Sequence, residues 1–189
     1  VLINLLENAK KYAYENSLII VSAHENNDFV WEKYTSNWTA VCTGCVAISM
    51  MYAFPDALER SIERITKASE VFLSGFSDEG VCFEGPVYWG YGFGNFVYLA
   101  DALFEFTEGK INLFDIKKTK KVAEYPKYSV LCGGASVSFS DSSRIARFSK
   151  GVMACLNKHY DIKNSFLVII SAIPKQTATI PNIINTHDF

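Results

Sequence analysis

Apolar residues recur at three- and four-residue steps through most of this chain, the spacing of helices that bury one face. Residues 1–16 carry Leu2, Leu5, Leu6, Ala9, Tyr12 and Ala13 at that spacing. Residues 36–54 (SNWTAVCTGCVAISMMYAF) are apolar on nearly every side, which predicts a buried helix with Ser36 or Asn37 as its cap. Pro55 stops that helix and can open the next one. Over 56–73, Leu58, Ile62, Ile65, Ser69 and Phe72 share one face, while Glu59, Arg60, Glu63, Arg64 and Lys67 lie largely opposite. Glycines make 74–85 a loop. A long helix is expected from about 86 to 107, built on Val97, Ala100, Leu103, Phe104 and Phe106 and ended by Gly109. A short element with a charged stretch follows at 113–122, and a little strand is possible in 128–140. A helix is expected over 143–159 with Asp141 or Ser142 as cap, then a short apolar one over 164–173 stopped by Pro174. Residues 24–28 and 176–189 show no periodicity. The sum is one all-α domain of antiparallel helical hairpins, an arrangement that builds bundles or helical toroids.

Composition agrees with a packed domain: of 189 residues, 49% are hydrophobic and 20% charged, enough apolar surface for a core. The net charge of -2 gives no global reason to bind nucleic acid. The basic run KKTKK (117–121) reads as a solvated loop. No uninterrupted apolar run approaches the length of a membrane span, and FLVIISAIP (166–174) is too short for one. Because the first residue is Val1 and helical patterning starts at once, the chain is expected to be a fragment of something longer.

The five cysteines are odd in number and scattered, which argues against a disulfide framework. Cys42 and Cys45 have C-x-x-C spacing without a second pair to complete a zinc site, and a thioredoxin-type motif needs a βαβ setting. The plain reading is small buried thiols on a helix, with a redox or metal role as the sharper alternative. No metal or cofactor is expected.

The segment EGPVYWGYGFGNF (84–96) interleaves Tyr88, Trp89, Tyr91, Phe93 and Phe96 with glycines where a helix should start. Gly90-x-Gly92-x-Gly94 lacks the spacing and the preceding strand of a dinucleotide loop. If the helix over 56–73 returns antiparallel, the helices on either side of it start at the same end. Asn37, Trp38, Tyr88, Trp89 and Tyr91 would then meet at one mouth.

NWTAVCTGC, a helical hairpin, and then DEGVCFEGPVYWGYGFGNFVYLADAL resemble, in that order, the heparinase II/III-like polysaccharide lyase family. The resemblance runs over about 37–115, with a weaker echo at GGASVSFSDSSRIARF (133–148). It implies that the chain is the later part of an incomplete (α/α) toroid, whose early part and following β-sandwich lie outside the chain. It also implies β-elimination on an acidic, uronic-acid-containing polysaccharide such as a glycosaminoglycan. A bacterial protein of this kind would be periplasmic, secreted or at the cell surface.

Such a reaction needs a base for the proton beside the carboxylate and an acid for the leaving oxygen. It also needs a neutral donor for the charge that builds on the carboxylate. By the resemblance, Asn37 matches the carboxylate-neutralising position. Tyr88 matches the catalytic tyrosine, with Tyr91 as the competing choice. Trp38 stands where several members carry histidine, and a further family histidine comes from the sandwich. No histidine here is therefore assigned as base: His24 lies in a polar stretch, His159 at a helix end and His187 in the tail.

Trp31, Trp38 and Trp89 are candidate stacking surfaces for sugar rings, with Glu84 beside them. Each residue also has an ordinary use: Asn37 as a cap, Glu84 bonding the helix start, the tyrosines as rim or core, the tryptophans as core. The matching alternative for the whole chain is a non-catalytic glycan-binding or scaffold domain of the same fold. Half a toroid leaves apolar faces uncovered, so the missing sandwich domain or a second copy in a homodimer is expected to cover them.

Overall fold

The computed structural model describes residues 29–131, 135–145, 147–160 and 162. The expectations for 1–16, 24–28, 164–173 and 176–189 fall outside them. The fold is all-α. The strand looked for in 128–140 is reduced to an isolated antiparallel bridge between Val130 and Ser136.

A 3-10 turn, Val30–Lys33, leads into helix α1, Asn37–Ala53. Ser36 holds the cap position, yet its side chain makes no capping bond, and Asn37 is already the first helical residue. Thr39 fixes the entry instead. Its buried hydroxyl reaches back to the carbonyls of Trp31 and Tyr34, so the chain is anchored one turn further in than the caps would do it.

Phe54 alone links α1 to α2, Pro55–Ser74, so the two form a tight antiparallel hairpin. The amphipathic pattern of α2 sets its packing: Leu58, Ile65, Ala68, Phe72 and Leu73 are buried. Its charged side reaches the preceding turn, where the Arg64 guanidinium pairs with Glu32 at 2.7 Å.

The third helix, α3, runs over 85–106 in three parts: α-helical Gly85–Tyr88, a π-helical turn Trp89–Phe93, and α-helical Gly94–Phe106. A π turn is a widened turn often found at functional sites. α3 lies alongside α1 in the same direction: Asn37, at the start of α1, meets Glu84 and Gly92, while Gly44, further along, faces Asn95 and Leu99. The two helix starts therefore share one end, as the sequence pattern requires.

The core between these helices is aromatic. Phe93 stacks on Phe96 at 5.5 Å, and Phe72 and Phe76 meet edge to face at 5.3 Å. Burying one such side chain contributes on the order of 1.5–3 kcal/mol.

After α3 come a 3-10 turn, Leu113–Asp115, and the short helices α4, Thr119–Ala123, and α5, Tyr125–Ser129. The run KKTKK is not simply a solvated loop. Thr119 is fully buried, and Lys118 and Lys121 donate at 2.7 Å to the carbonyls of Phe76 and Asp78, clamping the α2–α3 loop.

The last described helix, α6, is Lys150–His159 rather than 143–159, and Ser149 caps it through the Val152 N–H. Residues 143 and 144 are committed elsewhere: the Ser143 carbonyl accepts from the Ser136 hydroxyl at 3.0 Å, and the Arg144 carbonyl from the Ser136 N–H at 2.8 Å. His159 and Lys158 bind Asp101 of α3 at 2.9 and 3.1 Å, and the His159 ring stacks on Phe114 at 3.9 Å. No helix among the described residues is long and apolar enough to cross a membrane.

Candidate functional site

The shared end of α1 and α3 holds an open pocket of about 440 Å³. Its floor is the buried trio Phe72, Phe76 and Cys82, and exposed Tyr34 and Phe83 flank it. Ser36, Asn37 and Glu84 supply its polar edge. The central contact of that edge joins residues far apart in sequence: the Asn37 carboxamide nitrogen donates to the Glu84 carboxylate.

Glu84 holds the cap position of α3 without a side-chain capping bond. It therefore does not bond its own helix start but crosses to the start of α1. One amide N–H satisfies Glu84, and a carboxamide carries a second.

Gly92 makes this placement possible. A methyl group there would overlap the Asn37 carboxamide oxygen, so only glycine lets the amide lie against the π turn. Gly85 has a related role: its φ of +88° suits glycine, and a methyl there would overlap the Ser142 hydroxyl.

Tyr88 lies four residues before Gly92 and so on the same side of α3; it is half-buried and packs on the core. Tyr91, adjacent to Gly92 in sequence, stands on a different face and is 45% exposed. Neither tyrosine lines the pocket. Trp38 is 63% exposed on the α1 surface. Trp31 is half-buried, stacked on Phe29 at 5.2 Å, and also outside the pocket lining.

Trp89 corrects the expectation for it. It is 0% exposed, its ring nitrogen donates at 2.8 Å to the Val122 carbonyl, and its ring packs among Phe93, Tyr125 and Phe148. It is a core residue with its polar edge satisfied and offers no face to a sugar. Of the five residues foreseen at the mouth, Asn37 alone lines the pocket, joined by Glu84; Trp38, Tyr88, Trp89 and Tyr91 do not.

The sequence reading missed Tyr34, Phe83, Cys82 and Gly92. Gly92 alone left a trace, as a glycine set among bulky aromatics inside a helix.

Burial pushes the Cys82 thiol up to about 11, and the nearby Glu84 carboxylate acts in the same direction against two backbone hydrogen bonds. Cys82 is accordingly a neutral, apolar patch of floor. Burial, then Cys45, raises Cys42 as well. Among the described residues no three metal-binding side chains converge. The chemistry on offer is an amide donor and a carboxylate over an apolar, aromatic-flanked hollow, which suits a ring with polar edges and apolar faces. No protein-family model matches the chain, and no curated protein matches it.

Proposed function

We propose that the chain is the helical part of a polysaccharide lyase-like protein that acts by β-elimination on uronic-acid polymers. The observation that carries this reading is Asn37, held at the pocket edge against Gly92, with a second amide N–H to offer. A uronate carboxylate seated there would accept from a neutral donor as its charge builds. Tyr88, one turn of α3 before Gly92 and outside the pocket lining, is the residue proposed to exchange protons with a sugar that extends past the pocket edge. In this reading α1 to α3 belong to an incomplete (α/α) toroid. The exposed apolar side of α1, with Trp38, Val46 and Tyr52, would receive the rest of that toroid, the sandwich domain or a second copy.

Incubation with a panel of uronic acid polymers tests the activity by the ultraviolet absorbance of unsaturated uronate ends. Turnover lost in Asn37→Ala and Tyr88→Phe supports it. No product from any polymer, or equal rates for wild type and Tyr88→Phe, sinks it.

Glu84 favours a second reading, a non-catalytic glycan-binding domain, because its carboxylate already engages the Asn37 amide. Calorimetric binding of oligosaccharides that survives Tyr88→Phe, with no turnover, would support that reading instead.

A further inference from the structure

The charge around the pocket points to which acidic glycan it takes. Among the residues lining it, Glu84 is charged and none is Lys, Arg or His. Lys118 and Lys121 are not among the lining residues; they donate to the loop carbonyls of Phe76 and Asp78, and Lys118 also faces the Asp78 carboxylate. A site for a sulfated sugar needs cationic partners in charge-assisted contact with the sulfate, and this lining has the opposite sign. A single ligand carboxylate on the second N–H of Asn37 also feels Glu84, and the amide hydrogen bond offsets that one repulsion. A sulfate beside it would face Glu84 with no cation among the lining residues to balance it.

We infer that the Asn37–Glu84 edge selects unsulfated uronans and excludes sulfated ones, with Glu84 as the discriminating residue. This rests on the glycan reading above and narrows it to polymers whose neighbouring sugars carry free hydroxyls or amines, groups that can donate to the carboxylate. Like charges a few ångströms apart at a protein surface change affinity by about tenfold, which is about 1.4 kcal/mol.

The test uses one set of unsulfated uronan oligomers and the same oligomers after chemical O-sulfation. Binding to the whole chain is measured by calorimetry at two salt concentrations. Wild type should bind the unsulfated set at least about tenfold tighter, a preference that shrinks at high salt. Glu84→Gln keeps an oxygen for Asn37 and removes the charge, so it should raise affinity for the sulfated set and erase most of the preference. Circular dichroism melting confirms that the variant is folded. Equal or tighter binding of the sulfated set by wild type overturns the inference and leaves the glycan reading standing, as does an unchanged preference in Glu84→Gln. Failure of both sets to bind overturns the glycan reading, and this inference with it.

Discussion

Gly92→Ala tests the site most directly, because it adds one methyl where the structure has no room. Built on the present backbone, that methyl would overlap the Asn37 carboxamide oxygen and lie 2.7 Å from its Cγ and 3.2 Å from its Cβ. Taken alone, alanine favours a helix by about 1 kcal/mol over glycine. Against that, overpacking costs about 1–3 kcal/mol. Swinging the amide away also forfeits its bond to Glu84, an exposed contact contributing about 0.5–1 kcal/mol. The net loss should be about 1–2 kcal/mol.

The same change in an Asn37→Ala background meets only the Cβ at 3.2 Å, so its cost should fall to near zero or reverse. Urea unfolding of the four proteins in this double-mutant cycle gives the coupling, expected at about 1–2 kcal/mol with an unchanged denaturant slope. An equal penalty in both backgrounds would refute the contact between Asn37 and the π turn, and with it the geometry of the site.

Trp89→Phe should cost about 2–4 kcal/mol, from the orphaned Val122 carbonyl and lost volume, lowering the melting midpoint by roughly 5–15 °C. Once folded, it should bind saccharide as wild type does; selective loss of binding would return Trp89 to the site. Burial works against the charge of Asp101, but hydrogen bonds from His159 and Lys158 outweigh it and hold the carboxyl below its usual range. That stability is present above the unfolded carboxylate value of about 3.9 and is lost as pH falls through the lower folded value. Urea midpoints should therefore drop more steeply below about pH 4 in wild type than in Asp101→Asn. Cys82 should resist alkylation at pH 8 until the protein unfolds, whereas half-exposed Cys45 reacts first. Peptide mapping that finds the two labelled at similar rates would contradict the buried floor.

Helix α2 was legible because its burial follows a period written in the local sequence. Helix α1, expected to be buried because it is apolar on nearly every side, instead buries the small side made of Thr39, Ala40, Thr43, Gly44 and Ala47 and leaves Trp38, Val46 and Tyr52 exposed. The common end of α1 and α3 followed from the hairpin between them. What stayed hidden was decided by contacts with no local signature. The partner of Asn37 stands 47 positions away at Glu84, and nothing in NWT announces it. Lys118 and Lys121 look like solvated charges until the carbonyls of a distant loop are folded against them. Ser143 and Arg144 fit a helical pattern, but Ser136 takes both carbonyls. Trp89 was misjudged because a tryptophan among glycines and tyrosines resembles a stacking surface, while its burial depends on α4 and Phe148.

The widened turn at Trp89–Phe93 sets an angular phase along a continuous rod. Each residue of an α-helix advances about 100° around the axis. Deleting one residue from this turn would rotate the Glu84 end by about that amount relative to the segment after Gly94. Either Trp89 would leave the core or Glu84 would swing away from Asn37. The number of residues here is thus constrained along with the identities of Trp89, Gly92 and Phe93. At Gly90 an added methyl meets nothing within 4 Å, so the turn tolerates a substitution there more readily than any change in length.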